Sequence, residues 1–403
     1  MRRRDFIAGS GALLLTGLPE LSLAQIADKG GLLAAQARLN ATLVGHLQGA
    51  RGRSDNIVVS PASLTAILAV LAQGADPRMQ AAIHKCLGLD GASDTASGDL
   101  QVLRSQLRNV GLAREEQGAT FTLANLIVID PASQPNAPVV ARLRDGAEVV
   151  IDDLSKLATV NQINAWVSGQ TKGFIRKVFD GPQRATGLAG VNALYFKGLW
   201  KDRFDAKLTQ ARPFHLVGGG ASDVPLMMRI GSYRHRQDGR FVAVDLPYRN
   251  ERFGLVVATT SDTPATAAEF SHVGDWLTGE DFSSGRVDLS LPRFTMAEGA
   301  DILEALDAAG LNAARLSPTS FAPLFSVPQT LSRIAQRTYL RVDEEGTEAA
   351  ATTAITMSRT SMQSRTVKIV VDKPFVFALR DRQSGLILLS GYVGRIPGKP
   401  VES

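Results

Sequence analysis

Alternation of apolar and polar positions predicts a series of strands along this chain. Thr338, Leu340 and Val342 occupy every second position before an acidic pair, which is the spacing of a half-buried strand. A hairpin is predicted at the end of the chain, where two apolar runs flank a polar turn at 381–385. The remaining apolar runs predict strands at 56–59, 121–129, 190–196 and 287–291, several strands between 223 and 260 that include 241–246 and 253–258, and the hairpin arms at 366–379 and 385–395.

Apolar residues at helical spacing predict helices between these strands. Ser60 stands directly before Pro61, a pair that favours the first turn of a helix, and Gly310 marks a helix end. Helices come first, then mixed elements, then strands, without regular strand–helix alternation, which indicates the α+β class. The predicted helices cover 28–50, 64–71, 98–112, 161–179 and 300–309.

One stretch near the C-terminus has a composition that no ordinary structural element requires. Two acids, a glycine and a threonine lead into small side chains, without further glycine or proline. It is either a flexible linker or a strand whose residues slide into a space that admits only small groups. A linker would more often carry Gly, Ser and Pro. The stretch begins Glu344, Glu345, Gly346, Thr347, Glu348, Ala349, Ala350 and Ala351.

The composition is that of a globular protein. Of 403 residues, 44% are hydrophobic and 21% are charged, which is enough apolar material for a large core. The formal net charge is +5, which is mild for this length. Because no basic run is interleaved with aromatic residues, we do not expect a nucleic-acid partner.

The first 24 residues predict an export signal. Arg2, Arg3 and Arg4 precede Phe6 and an apolar stretch, and Ser22-Leu23-Ala24 places small residues where a signal peptidase cuts. The paired arginines favour a twin-arginine signal over an ordinary secretory signal. We therefore expect a signal peptide at 1–24 and one domain at 25–403. The mature protein would be periplasmic or extracellular, without membrane attachment.

Catalytic and metal-binding motifs are absent from the sequence. Cys86 is the single cysteine, so no intramolecular disulfide can form, and the five histidines are scattered without metal-ligand spacing. No Gly-x-Ser-x-Gly, Ser-x-x-Lys, His-Glu-x-x-His or phosphate-loop motif occurs. We expect neither an enzyme nor a resident cofactor.

Several segments, taken in order, resemble the serpin family over nearly all of the chain, roughly residues 30–398. Glu-Glu-Gly-Thr-Glu-Ala-Ala-Ala at 344–351 is similar to the serpin hinge, and Val191-Asn192-Ala193-Leu194-Tyr195-Phe196-Lys197-Gly198-Leu199-Trp200 looks like the central strand of the family's large sheet. The other matching segments are Asn56 to Ser63, Val224 to Met228, Asp245 to Tyr248, Leu291 to Phe294 and Lys373 to Phe377.

This resemblance implies the serpin fold, with three β-sheets, eight or nine helices and an exposed reactive-centre loop, here at 344–365. It implies a monomer that acts as a suicide inhibitor of serine proteases without a cofactor. A target protease cleaves the loop, which then inserts into the large sheet and traps the protease as a covalent acyl complex. Serpin loop insertion is itself a standard example of strand addition. Some members are non-inhibitory and are cleaved only as substrates.

The sequence agrees with the inhibitory alternative. In an inserting strand Thr347, Ala349, Ala351 and Thr353 would share one face, and all four side chains are small. The charged Glu348 falls on the other face, and proline is absent, so no ladder hydrogen bond is lost. A non-inhibitory serpin, kept as the alternative, would tolerate bulky, charged or proline residues here.

The family's spacing from Gly346 places the reactive bond at Thr360–Ser361. A threonine before the bond suggests an elastase-like or subtilisin-like protease. A shift of one residue would place the bond at Arg359–Thr360 and make the target trypsin-like. We favour the first alternative and keep the second open.

The resemblance also implies a buried polar cluster under the opening sheet. Its members here are Ser60, Ser63, Asn192 and Gln336, with Trp200 at the top of the sheet where the hinge enters. Many serpins have a histidine where this chain has Gln336, so a pH-dependent release at this point is not expected. The helix at 98–112 and its end carry only three arginines, which is an ordinary solvated face rather than a polyanion site.

Overall fold

The computed structural model describes residues 36, 39–40, 42–47, 49, 56–89, 118–184, 187–347 and 366–396. The predicted signal peptide, the helix at 98–112 and the reactive bond lie outside these residues. The strands are β1 (Ile57–Val59), β2 (Ala119–Ile129), β3 (Glu148–Ile151), β4 (Leu188–Leu199), β5 (Gln210–His215), β6 (Ala221–Asp238), β7 (Phe241–Pro247), β8 (Phe253–Thr260), β9 (Ser283–Pro292), β10 (Phe294–Asp301), β11 (Leu331–Val342), β12 (Gly346–Thr347), β13 (Val367–Val370), β14 (Phe375–Asp381) and β15 (Ile387–Val393).

Six α-helices have continuous bounds within the described chain, and the described residues between 36 and 49 are also helical. The first of the six begins where the sequence predicts, because Pro61 occupies its first turn and the Ser60 side chain accepts a hydrogen bond from Ser63 N. All of its residues are buried. The helices are α1 (Pro61–Leu71), α2 (Pro77–Cys86), α3 (Ala137–Leu143), α4 (Leu157–Gln170), α5 (Leu303–Leu306) and α6 (Asn312–Arg315).

The smaller of two β-sheets has the strand order β10-β11-β4-β2-β3, and the short β12 pairs with β4. Its neighbouring inner strands β4 and β11 run parallel, as do β2 and β3, whereas β10–β11, β2–β4 and β12–β4 are antiparallel. A parallel contact therefore lies between two inner strands, and each of them has an antiparallel neighbour on its other side. We call the line along which β4 and β11 meet the seam.

The larger sheet has nine strands in the order β1-β15-β14-β8-β7-β6-β9-β13, with β5 attached to β6. The predicted α+β class is confirmed. The expected three sheets appear as two in the described residues, because β6 and β9 are long enough to run through two of them. One half of β6 pairs with β5 and its other half with β7.

A large apolar core fills the space between the two sheets. It includes Phe196 and Trp200 from β4 and the turn after it, and Phe375 and Phe377 from β14. A second cluster surrounds α1 and α2, and a third lies between α4 and the outer face of the smaller sheet. Buried Cys86 belongs to the second cluster, and burial raises the pKa of its thiol to about 12, so it is an inert hydrophobe.

Three predicted elements differ from the structure. The helix at 161–179 ends at Gln170, because Lys172 and Gly173 adopt left-handed conformations and turn the chain back over the sheet. The helix at 300–309 is shorter, since β10 continues to Asp301 and α5 covers only Leu303–Leu306. The apolar run at 366–379 forms two strands. Its second part, β14, makes the predicted hairpin with β15, while β13 pairs with β9.

Candidate functional site

The described part of the hinge, Glu344–Thr347, already lies at the top of the seam. Gly346 and Thr347 form β12, which pairs antiparallel with β4, so that Gly346 faces Leu199 and Thr347 faces Gly198. Gly346 passes so close to β4 that an added Cβ would lie 2.0 Å from the carbonyl oxygen of Gly198. Only glycine fits there, which explains the glycine that opens the small-residue stretch.

Thr347 points into the core. It is fully buried, and its hydroxyl lies 2.6 Å from the hydroxyl of Tyr248, which is also fully buried. Burial raises the pKa of Tyr248, so its phenol stays protonated and can donate a hydrogen bond. The first residue of the predicted inward face therefore occupies a closed pocket that has room for a small side chain.

Trp200 holds the hinge backbone from the β4 side. Its backbone N donates to the carbonyl oxygen of Glu345, and its indole Nε1 donates to the carbonyl oxygen of Asp343, both at 2.9 Å. Its ring stacks on Tyr248 with a centroid distance of 4.5 Å. Two side chains that contact the hinge are thus packed against each other.

Glu344 fixes the start of the hinge through an ion pair with Arg293. Arg293 Nε donates to Glu344 Oε2 at 3.1 Å, a second Arg293 nitrogen contacts Oε1, and the Thr209 hydroxyl donates to Oε1 at 2.6 Å. Burial raises the pKa of Glu344, but the hydrogen bonds from Arg293 and Thr209 outweigh it and hold that pKa below its ordinary value. Glu344 therefore stays charged although it is buried.

The neighbouring Asp343 has the opposite shift. Burial raises its pKa, and hydrogen bonds from the backbone N–H groups of Glu345 and Gly346 offset this only in part. The pKa values of these two adjacent carboxyls are thus shifted in opposite directions.

The structure brings the four predicted polar residues together beneath the seam. Ser60 N donates to Gln336 Oε1 at 2.9 Å, and Gln336 Nε2 donates to the Ser60 carbonyl oxygen at 3.3 Å. The Ser60 hydroxyl donates to the Leu388 carbonyl oxygen at 2.6 Å and lies 2.7 Å from the Ser63 hydroxyl. Gln336 and Asn192 face each other across the seam. The cluster thus joins α1, β11, β4 and β15.

Asn125 is a fifth member that the sequence reasoning missed. It lies opposite Asn192 on β2, and its Oδ1 accepts a hydrogen bond of 2.6 Å from Asn192 Nδ2. The signal was available, because an asparagine in the middle of the apolar strand Leu123 to Ile129 is unusual. Asn192 is fully buried, and its Oδ1 has no hydrogen-bond partner. A buried amide oxygen without a donor is costly, which marks this point of the seam as incomplete.

The two predicted alternatives for the reactive bond, Thr360–Ser361 and Arg359–Thr360, lie outside the described residues, as do Glu348, Ala349, Ala350 and Ala351 of the hinge. Among the residues that the structure does describe, no three His, Cys, Asp or Glu side chains are placed to hold a metal ion. Within that same part of the chain, no helix is long and apolar enough to cross a membrane.

A family model described as "Serpin (serine protease inhibitor)" matches residues 34–396, which is most of the chain. The chain belongs to the serpin family. Human glia-derived nexin is 30% identical over 365 residues, which cover 85% of this chain and 88% of the nexin. Mouse neuroserpin is 27% identical over 371 residues, covering 86% of this chain and 88% of that protein.

Solved serpin structures have the same fold. Native protease nexin-1 with heparin is 25% identical to this serpin, with a TM-score of 0.75, over 91% of this chain and 100% of the other. Human thyroxine-binding globulin in complex with thyroxine has a TM-score of 0.80 at 23% identity, over 91% of this chain and 98% of the other. At that identity the second comparison shows the fold alone.

Proposed function

We propose that this serpin is a suicide-type inhibitor of serine proteases, which inserts its cleaved loop between β4 and β11. The observation that carries the proposal is the position of β12. Gly346 and Thr347, which lead into the run of small side chains, are already paired with β4 at the top of the seam. The next residues have only to follow the same path.

The seam is a favourable place for a new strand. β4 and β11 pair directly and in parallel from Leu188 and Leu331 to Tyr195 and Tyr339. A strand that continues β12 would run antiparallel to both, and parallel pairing is slightly less stable per residue than antiparallel pairing. Insertion would replace one parallel ladder by two antiparallel ladders, and each added backbone hydrogen bond contributes about 0.5–1.5 kcal/mol net.

The register of β12 determines where each inserted residue would lie. Because Gly346 faces Leu199 and Thr347 faces Gly198, continuing the antiparallel pairing sets Glu348 opposite Lys197 and Thr353 opposite Asn192. Residues directly opposite in a sheet point to the same face. Glu348 would then pair with a lysine on the outer face, and Thr353 would point inward at the polar cluster.

Thr353 has the chemistry that the cluster lacks. A threonine hydroxyl can donate one hydrogen bond, and Asn192 Oδ1 is a buried acceptor without a donor. We infer that insertion brings this hydroxyl to Asn192. The native sheet would therefore contain an unsatisfied group that only the inserted loop satisfies.

The covalent step takes place at the predicted reactive bond. In our proposal the serine Oγ of the protease attacks the carbonyl carbon of Thr360, an ester forms, and the peptide that begins with Ser361 leaves with the new amino group. Insertion then carries the ester-linked protease along the sheet before water can cleave the ester. Thr360 favours an elastase-like or subtilisin-like target. The alternative bond after Arg359 would favour a trypsin-like one.

The oligomeric state, the partners and the localisation are proposed from the sequence. We propose a monomer that acts without a cofactor and without a nucleic-acid partner. Export to the periplasm or the extracellular space rests on residues 1–24, which read as a twin-arginine signal. In that compartment the inhibitor would protect against secreted proteases.

The test is a denaturing gel after incubation with an elastase-like and a trypsin-like protease. We expect a covalent complex that survives SDS, together with loss of protease activity. Mass spectrometry of the released C-terminal peptide identifies the cleaved bond. Loop cleavage that leaves the protease active and forms no complex would contradict the proposal. That result would favour the alternative, a non-inhibitory serpin that is cleaved only as a substrate.

A further inference from the structure

A short segment crosses the outer face of the sheet directly above the seam. After α4 ends at Gln170, the chain turns back through Lys172 and Gly173, and residues 171–183, which we call the strap, run over β4 and β11. The strap is tied to α4, because Asn164 Oδ1 accepts from the backbone N–H groups of Val178 and Phe179.

The strap is also tied to β11. Arg337 donates to the Val178 carbonyl oxygen at 2.7 Å, and the guanidinium of Arg333 lies over the ring of Phe179 at 5.9 Å. The buried strap residues Ile175, Val178 and Phe179 complete the third apolar cluster, which also contains outer-face residues of β4 and β11. The strap thus rests on both strands that border the seam.

Phe174 bridges the seam itself. Its ring stacks on Tyr195 of β4 with a centroid distance of 5.0 Å and an interplanar angle of 6°, and it contacts Tyr339 of β11 at 5.2 Å and 37°. Tyr195 and Tyr339 face each other in the register of the two strands. These distances lie in the range where aromatic pairs attract each other beyond simple burial.

An inserted strand cannot leave this arrangement unchanged. Neighbouring strands lie about 4.8 Å apart, so a strand placed between β4 and β11 moves Tyr195 and Tyr339 apart by about that distance. The register of β12 carries Ala350 to the position between them. At least one of the two contacts of Phe174 must therefore break while the strand enters.

We propose that Phe174 is a positioning residue that clamps Tyr195 to Tyr339. This clamp limits the rate at which the loop residues after the hinge insert between β4 and β11. The proposal rests on the proposed function, because it assigns a rate-setting role to a contact that loop insertion must break. A weaker clamp speeds insertion, both after cleavage and in the intact protein. A clamp that opens too easily would let the native state convert spontaneously.

The test uses a synthetic peptide with the sequence of residues 347–357 as the inserting strand, so that no protease is needed. The rate of its incorporation into the full-length protein is measured by native gel and by tryptophan fluorescence. We expect Phe174→Ala to incorporate the peptide about tenfold faster than wild type. Tyr339→Leu, which leaves the contact between Phe174 and Tyr195 in place, should accelerate it similarly, and the double variant should add little.

Ile175→Ala is the matched control, because Ile175 is buried in the same strap but its side chain belongs to the apolar cluster rather than to the three-ring stack. We expect it to lower the Tm while the incorporation rate stays within twofold of wild type. If Phe174→Ala does not fold, Phe174→Leu takes its place and should give a smaller acceleration in the same direction.

Three results would overturn the clamp. They are an unchanged rate in the Phe174 variants, an equal acceleration by Ile175→Ala, and fully additive effects of the Phe174 and Tyr339 variants. In all three the wild-type protein accepts the peptide, so the insertion mechanism would stand. A wild-type protein that does not take up the peptide would contradict insertion itself, and the clamp with it.

Discussion

Strands β8, β14 and β15 of the larger sheet and strands β4 and β11 of the smaller sheet show two different ways of building a sheet. The first three form antiparallel ladders, interrupted only by a register shift between Leu379 and Arg380, and every residue in them is buried. The second two run parallel and separate where β12 enters, and they carry buried Asn192 and Gln336 at the same level. The first region can serve as a fixed frame, and the second can accept another strand.

The difference predicts how substitutions act. A change in the frame should affect the intact and the loop-cleaved protein alike, because the frame is the same in both. A change at the seam or the hinge should affect the two forms differently. The following variants separate these two patterns, from the largest expected effect to the smallest.

Thr347→Arg should abolish inhibition and leave a substrate. Thr347 is fully buried opposite Gly198, and its hydroxyl lies 2.6 Å from that of Tyr248, so an arginine cannot follow the same path. The denaturing gel should show loop cleavage without an SDS-stable complex. Glu348→Gln is the control, because in the proposed inserted strand residue 348 would lie on the outer face, and this variant should still form the complex. A Thr347→Arg variant that inhibits like wild type would refute the insertion path.

Leu255→Ala should destabilise both forms. Leu255 on β8 is fully buried in the core between the sheets, and truncation of such a leucine costs about 2–5 kcal/mol. Calorimetry should show a similar decrease in Tm for the intact and the cleaved protein. A decrease confined to one form would mean that the larger sheet is not a fixed frame.

Arg293→Gln should loosen the hinge and change its response to pH. In wild type the lowered pKa of Glu344 means that its contribution to stability is present above its ordinary pKa of 4.5 and is lost as the pH falls through the folded-state pKa. Without Arg293, burial dominates and the pKa of Glu344 rises. At neutral pH the charged Glu344 carboxylate then lacks its ion-pair partner. Because Arg293 is only half-buried, we expect this to lower the stability of the hinge by about 1–2 kcal/mol.

Fluorescence of Trp200, which binds the hinge backbone, can follow this change. Both proteins share Asp343, whose pKa is raised by burial, so the difference between their pH profiles reports Glu344, and the midpoint in Arg293→Gln should lie at higher pH than in wild type. Arg293→Lys, which keeps the charge, should restore most of the wild-type behaviour. Identical pH profiles for wild type and Arg293→Gln would show that Arg293 does not control the charge of Glu344.

Thr353→Val should have the smallest effect and the most selective one. It keeps the shape of the side chain but removes the hydroxyl that we assign to Asn192 Oδ1 after insertion. Loss of one such hydrogen bond costs about 1 kcal/mol, and only the cleaved form should lose it. Calorimetry should show a lower Tm for the cleaved protein and no change for the intact one. Thr352→Val, on the opposite face, should change neither.

Much of the fold was predictable because its signals are local. Pro61 after Ser60 predicts the start of α1, and the alternation at Thr338, Leu340 and Val342 predicts β11. The end of α4 was not predictable, because Phe174, Ile175 and Val178 continue the helical spacing while packing on the sheet through a turn. The left-handed conformation of Lys172, a non-glycine residue, leaves no mark in the sequence.

The sequence, through its resemblance to the serpins, predicted Ser60, Ser63, Asn192 and Gln336 as a cluster, but it did not predict the geometry of the site. The composition of the hinge indicates which side chains can enter a sheet, whereas the pairing of Thr347 with Gly198 depends on strands far apart in the chain. The ion pair between Glu344 and Arg293 and the contact between Asn125 and Asn192 are likewise made across long sequence separations. The asparagine within the apolar strand Leu123 to Ile129 signals a buried polar contact, but neither partner of these two pairs can be identified from a local pattern.

The most direct test of the central claim is the Tm of this serpin before and after cleavage of the loop. If the seam accepts the cleaved loop, the cleaved protein gains two antiparallel ladders, and calorimetry should show a Tm well above that of the intact protein. The same cleavage in Thr347→Arg should give no increase. A cleaved wild-type protein that unfolds at the same temperature as the intact one, or below it, would contradict the account.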